Sequence, residues 1–224
     1  MFSDRAEAGR RLAEQLQRFK ADQPLVLALP RGGVSIGVEI ARALAAPLDV
    51  VLVRKIGAPF QEELAVGAVA DGEHPEMVVN REIVTLLNLP ERYLNEERDR
   101  QLIEIERRRT LYLAGRPRPG IAGKTAIVVD DGIATGATMR AALLAVRRAG
   151  PRRLVLAVPV APADTIAELR HDVDEVVCLE TPADFGAISL YYENFRQVTD
   201  SEVIAMLAET TGPGAERQPT GTPK

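Results

Sequence analysis

Tryptophan is absent from this chain of 224 residues, aromatics make up 4% of it, and it holds one cysteine and two histidines. A row of exposed rings for stacking nucleic-acid bases is therefore excluded. So are an internal disulfide and a Cys/His zinc cluster. Cys178 sits in an apolar run, Val176 to Leu179, where a buried structural thiol is expected rather than a nucleophile. The net charge of −4 gives no overall basic field, which counts against nucleic acid as a partner. No stretch approaches the ~18 consecutive apolar residues of a membrane span, and the N-terminus has no signal-peptide pattern. A soluble protein of the reducing cytoplasm, with no membrane partner, is the expectation. Two nucleotide-binding fingerprints are missing as well. No lysine follows Gly136 as a P-loop would require, and there is no G-x-G-x-x-G.

What remains is an alternation of buried runs and helical patterns, of a length that fits one domain with a sizeable core. Residues 4–19 put Ala6, Gly9, Leu12, Ala13, Leu16 and Phe19 on one helical face, and Asp4 with Glu7 fits a capping box. A buried strand is predicted from Leu25 to Leu29, a tight loop at Pro30-Arg31-Gly32-Gly33, and a helix from about Val34 to Ala45. A second strand, Leu48 to Val53, runs into Arg54-Lys55. This β-loop-α-β unit demands parallel pairing. The stretch of about seventy residues before the strand at Thr125 is too long for a plain connection. Within it, Leu64 to Val69 and Met77 to Val79 flank the hairpin signal Asp71-Gly72. Residues 81–88 suit a short helix and residues 91–113 a charged, solvated one. Gly115 to Gly120, with Pro117 and Pro119, is a break.

Farther on, strands at Leu154 to Val160 and Glu175 to Leu179 alternate with helices, one of them at Ala163 to Leu169. Residues 181–207 read as loop plus a final helix, with Tyr191, Tyr192 and Phe195 packing. The domain is taken as residues 1–210, and the Gly-, Pro- and Thr-rich tail 211–224 as disordered. Strands alternating with helices imply an α/β fold with an open, mostly parallel sheet covered on both faces.

The chemistry is concentrated in residues 126–138, AIVVDDGIATGAT. Four apolar residues, Ala126 to Val129, end in Asp130 and Asp131, and a helical pattern begins after Thr138. In an open α/β sheet, ligands bind where a buried strand meets a polar loop and a helix N-terminus. Backbone N–H groups, two hydroxyls and the positive end of a helix suit a phosphate. The acids repel that phosphate, and suit ribose hydroxyls or a hard cation such as Mg²⁺. Two acids directly after a buried apolar run need such a reason to be there.

This run resembles the binding motif for 5-phosphoribosyl 1-pyrophosphate (PRPP) of the type I phosphoribosyltransferases, in which a buried strand leads into paired acids and a T-G-x-[ST] loop. The match runs from Val128 to Thr138. The resemblance implies the open, mostly parallel sheet flanked by helices, with a lid or hood inserted between the second and third core strands, here about residues 56–120. It implies transfer of the 5-phosphoribosyl group from Mg²⁺-PRPP to a nitrogenous base or other nitrogen nucleophile, with release of pyrophosphate. The backbone of Ile133, Ala134, Thr135, Gly136, Ala137 and Thr138 would hold the 5′-phosphate, together with the two threonine hydroxyls. Asp130 and Asp131 would meet the ribose hydroxyls, directly or through Mg²⁺ and its water, and favour the charge growing on the ring.

Arg31, Gly32 and Gly33 fall where the family holds pyrophosphate: glycines admit a close backbone approach and arginine a bidentate contact. That loop often carries a non-proline cis peptide in the family, and Arg31-Gly32 is the bond in question. Arg54 and Lys55, at the end of the second strand, are both expected to point into the same crevice; Lys55 joins Asp130 and Asp131 as the expected catalytic set. A lid suits the chemistry, because a carbon with oxocarbenium character is trapped by water unless water is excluded. Glu62, Glu63 and Ala65 to Ala70 lie in that region without assigned roles. The family often dimerises around its active sites, so a homodimer is implied.

The acceptor, a nucleobase by resemblance, stays open. Six-oxopurine members commonly carry aspartate three residues after the second acid, where this chain has Ala134, which argues against hypoxanthine or guanine. Phe185, Gly186 and Ala187 are candidates for the acceptor pocket, with core packing as the alternative. The same fold also serves PRPP-binding regulatory proteins of nucleotide metabolism without transferase turnover, which is the second reading. A phosphatase using Asp130 as nucleophile ranks last, since that chemistry places D-x-D-x-T after a strand. Arg107, Arg108 and Arg109 could reach a phosphate, but Glu96, Glu97, Glu104 and Glu106 are at hand to balance them. His74 and His171 read as surface residues.

Overall fold

A computed structural model describes residues 1–72, 75–116 and 118–210, the side chains of Glu62, Glu63 and Glu76 excepted. The expectations for His74, Pro117 and the tail 211–224 lie outside the described residues. Helix α1 (Arg5–Leu16) buries Gly9, Leu12, Ala13 and Leu16 as its sequence spacing laid out, with Ala8 buried beside them and Ala6 only half-buried. Its N-terminus is half a capping box. The Asp4 carboxylate accepts from Glu7 N–H, while the Glu7 carboxylate accepts from Ser3 N–H instead of from the N-cap residue.

The core sheet is built from β1 (Pro24–Ala28), β2 (Leu48–Val50), β6 (Thr125–Val129), β7 (Arg153–Val160) and β8 (Glu175–Glu180). Their order is β2-β1-β6-β7-β8 and every pairing is parallel. Strand alternation divides the core between two faces. Val26, Ala28, Ile127 and Val129 pack with α1, α2 (Gly32–Leu44) and α7 (Asp200–Glu209). Leu25, Leu27, Ala126 and Val128 pack with α5 (Ala137–Arg148) and α6 (Ala163–Leu169). Burial on both faces is why these strands read as unbroken apolar runs. Strand order reverses between β1 and β6, so the loops leaving their C-terminal ends, residues 29–33 and 130–136, flank the switch point where such sheets bind ligands. No helix among the described residues is long and apolar enough to cross a membrane.

The second strand is shorter than expected. It ends at Val50, and Val53 opens β3 (Val53–Ala58) of a separate antiparallel sheet with β4 (Gln61–Ala70) and β5 (Glu76–Val79). Asp71 is the cause: its carboxylate accepts from Leu52 N–H at 2.8 Å and its own N–H donates to the Leu52 carbonyl at 2.9 Å. Both of Leu52's backbone groups are thereby withdrawn from the parallel ladder. The β4–β5 pairing bears out the Asp71-Gly72 hairpin signal. This sheet, with α3 (Arg81–Leu86) and α4 (Glu91–Leu113), is inserted between β2 and β6 and is called the hood below for its place in the chain; its first strand opens at Val53. It rests on α5 through small side chains, Ala68 and Ala70 against Ala141 and Ala145.

The charged helix α4 is less solvated than its composition suggests, because Leu94, Ile105, Tyr112 and Leu113 are buried. The arginine run divides. Arg107 and Arg108 pair with Glu104, whereas Arg109 is buried between Asp49 at 3.1 Å and Asp71 at 2.8 Å. Arg109 is thus a tie between hood and core, and neither a surface charge nor a phosphate ligand.

Candidate active site

The two loops at the switch point lie against each other. A Cβ on Gly32 would fall 1.9 Å from Asp131 Oδ2, and one on Gly33 would fall 2.9 Å from Asp130 Cα. A side chain at either place would push the two loops apart, which is why glycines of the P-R-G-G sequence stand opposite the paired acids. The Pro30–Arg31 peptide is cis, one bond earlier than the family resemblance pointed to. Arg31 reaches toward Asp200 at the start of α7, its Nη1 3.8 Å from Oδ1, and stays partly exposed at the mouth of the loop.

Asp130 Oδ1 accepts from Asp131 N–H at 2.8 Å. Burial, and then the neighbouring Asp131 charge, push the Asp130 carboxyl well above the usual carboxylate range. Asp131 is raised too, chiefly by burial, against the opposing pull of Arg5. Arg5 Nε donates to Asp131 Oδ2 at 2.7 Å, and Tyr192 Oη donates to the Asp131 carbonyl at 2.6 Å. Burial drives the Tyr192 phenol far above its ordinary value, so it acts as a donor.

The far end of the loop, residues 134–137, is open. Ala134, Thr135 and Ala137 are exposed. Gly136, at φ +76°, turns the chain into α5, and no side chain caps the helix. Thr165 Oγ1 steadies the loop by donating to the Ala134 carbonyl at 3.0 Å. Thr135, Gly136 and Ala137 form one wall of a cavity of about 610 Å³, with Arg140 of α5, Thr165 of α6 and Arg81 of the hood among its other walls. An anion has room there, beside free first-turn N–H groups. Asp130 and Asp131 are not among the residues lining this cavity, so cavity and acids lie at different ends of the loop.

Ile133 does not belong to the phosphate cradle. Its side chain is buried and its N–H is committed to the Val160 carbonyl at 3.0 Å, so the usable amides begin after it. Arg54 and Lys55 are not the joint pair that a shared strand end implies. They sit in β3, where successive side chains face opposite ways. Arg54, opposite Val69, turns to α4 and donates to Gln101 at 3.1 Å. Lys55, opposite Ala68, shares the face that looks toward α5 and stays exposed. Phe185 stacks on Tyr191 with centroids 5.6 Å apart, next to the exposed Gly186 and Ala187. Cys178 is held inert, burial pushing its thiol up to about 11. His171 is exposed, as expected.

Arg5 is the site residue that sequence reasoning missed. A signal for it existed. A cation in the first turn of a helix opposes the helix dipole, and needs an acid from elsewhere to hold it. Arg140 and Thr165 had no comparable signal, because their place at the cavity depends on how α5 and α6 pack.

A family model described as "Phosphoribosyl transferase domain" matches residues 3–194. The chain is 46% identical over 207 residues to "Putative phosphoribosyl transferase Rv0571c" of Mycobacterium tuberculosis strain H37Rv, and equally to its counterpart MT0597 in strain CDC 1551. The match covers 92% of this chain and 46% of each relative, so the chain spans about half their length. Among solved structures, that of TT1426 from Thermus thermophilus superimposes with a TM-score of 0.81 at 44% identity, covering 95% of this chain and 100% of the other.

Proposed function

This chain belongs to the type I phosphoribosyltransferase family, and on that footing we propose that it moves the 5-phosphoribosyl group of PRPP to a nitrogen nucleophile with release of pyrophosphate. The observation that carries this reading is the contact of Gly32 and Gly33 with Asp131 and Asp130. It joins a loop suited to a diphosphate to a pair of acids suited to a ribose. The amides of residues 134–138 and the hydroxyls of Thr135 and Thr138 take the 5′-phosphate at the N-terminus of α5. Arg31 and Lys55 take the diphosphate. The acceptor nitrogen forms its bond to C1 as the bond from C1 to the pyrophosphate oxygen breaks. That electron pair leaves with pyrophosphate, and the acceptor's proton passes to solvent. No protein nucleophile is needed. Buried acids near the ring stabilise the positive charge that develops there.

Mg²⁺ fits this donor set as a companion of the substrate. Among the described residues no group of three or more His, Cys, Asp or Glu could cage a metal ion. Asp130 and Asp131 remain, and Mg²⁺ typically takes one or two carboxylates, retained waters and substrate phosphates. When bound it would offset charge on the diphosphate. Ala134 leaves no carboxylate at the position that marks six-oxopurine acceptors, which favours another nitrogen acceptor.

The test is to incubate the protein with Mg²⁺, PRPP and a panel of nucleobases and amines while following pyrophosphate. Acceptor-dependent release is expected. Tight PRPP binding without release for any acceptor would instead support a regulatory PRPP-binding protein. No PRPP binding at all would overturn both.

A further inference from the structure

The geometry points to Arg5 as the positioning residue of the acidic pair: it engages Asp131 inside the protein and leaves Asp130 as the carboxylate presented to the ribosyl ligand. This assignment rests on the phosphoribosyl-transfer reading and divides the roles of two acids that the motif treats alike.

Two adjacent carboxylates at a buried strand end repel each other, and each loses hydration. Arg5 offsets part of that conflict. Its side chain is 10% exposed and that of Asp131 13%, so the pair is largely shielded from solvent. Arg5 is fixed on three sides. Nε donates to Asp131 Oδ2 at 2.7 Å, Nη1 donates to the Arg196 carbonyl at 2.8 Å, and the guanidinium carbon lies 3.9 Å from the centre of the Phe195 ring. The aromatic face and the fork of donors suit arginine and not lysine.

Asp131 is fixed as well. Its carbonyl accepts from Tyr192, whose ring contacts both Phe2 and Phe195. Phe2 N–H donates to the Tyr191 carbonyl, and Glu193 N–H donates to that of Phe2. The segments on either side of Arg5 and Tyr192 are thus knitted together before either touches the acids. The pyrophosphate loop completes the arrangement, since a Cβ on Gly32 would meet Asp131 Oδ2 at 1.9 Å and Arg5 Nε at 3.1 Å. Asp131 Oδ2 is therefore enclosed by Arg5 and Gly32. Asp130, whose Oδ1 takes the Asp131 N–H, forms no ion pair of its own among the described residues; it shares a side-chain hydrogen bond with Asp131 and feels the Arg5 charge only at longer range.

The experiment is a double-mutant cycle read by calorimetric PRPP binding in the presence of Mg²⁺, with kcat and KM alongside and thermal unfolding as the check on folding. Arg5→Gln leaves Asp131 charged and unpaired, and is expected to weaken PRPP binding by about tenfold or more. The double variant Arg5→Gln/Asp131→Asn keeps a hydrogen bond and carries no unpaired charge. It is expected to bind PRPP no more weakly than Asp131→Asn alone, the non-additivity that coupled neighbours show. A purely structural role would move melting temperature without this non-additivity in PRPP affinity. If Arg5→Gln alone does not fold, the folded double variant decides the same question. Asp130→Asn is expected to lose PRPP binding in either background. Two results overturn the assignment: Arg5→Gln that binds PRPP like the unaltered chain, or a double variant as weak as the single losses multiplied, which would mean that Arg5 and Asp131 act independently. Both differ from an unaltered chain that does not bind PRPP, which overturns the transferase reading itself.

Discussion

Asp71 holds Leu52 by both of its backbone groups, accepting from its N–H at 2.8 Å and donating to its carbonyl at 2.9 Å. That clasp takes the chain out of the parallel sheet and starts the hood. Arg109 balances the buried carboxylate, with Arg118 3.5 Å away. Burial still raises the Asp71 carboxyl above its ordinary value, with Arg109 opposing.

Removing Arg109 should therefore be costly. Arg109→Met leaves Asp49 and Asp71 buried without their shared cation, and about 3–5 kcal/mol of stability is expected to go. Urea unfolding checks this. A loss below about 1 kcal/mol would show that the hood is held mainly by its apolar contacts and not by this tie.

Asp130 trades stability for function. Its folded-state carboxyl lies well above the ordinary 3.8, so the folded protein binds that proton more tightly than the unfolded chain does. The stability linked to it is complete at acid pH and is lost as pH rises through the raised value. Asp130→Asn removes the loss. The variant should melt higher than the unaltered chain at pH 7, converge with it below about pH 4, and lose PRPP turnover. Melting curves across that range test the sign, and an Asp130→Asn protein less stable at pH 7 would contradict it.

Gly136 carries a left-handed backbone at φ +76°, and a Cβ there would stand 2.9 Å from Thr165 Cγ2. Gly136→Ala is expected to cost about 1–2 kcal/mol from the backbone alone. It should also weaken PRPP binding, because the amides that open α5 would shift. A variant with unchanged PRPP affinity would remove this loop from the phosphate site.

Lys55 and Arg54 should separate kinetically. Lys55→Ala is expected to lower kcat/KM for PRPP by about tenfold or more, as loss of a cation near the leaving group does. Arg54→Ala, on the far face of β3, should change it by less than about threefold, within the range of a surface substitution. The reverse order would mean that β3 rotates when ligand binds.

Much of the core was legible because its signals are local. Leu25 to Leu29 and Ala126 to Val129 are runs buried on both faces, and the hairpin at Asp71-Gly72 announced itself by turn chemistry. Helix α4 was placed correctly at residues 91–113, yet its buried Arg109 looked like one more surface charge, since side-chain type does not say which way a residue faces. The end of β2 was misplaced by three residues because the residue that ends it, Asp71, lies far along the chain.

The division follows the range of the forces involved. Residue order alone was enough for the alternating parallel framework, the loop that follows Val129 and the helix start near Thr138, all consequences of neighbours within one strand, turn or helix. It took the folded chain to show that Ile133 is spent on Val160, that Arg54 and Lys55 face apart, and that Arg5 answers Asp131 across 126 positions. Those outcomes depend on which strands pair and which buried charges meet, and a charge has no recognisable partner until the chain has closed around it.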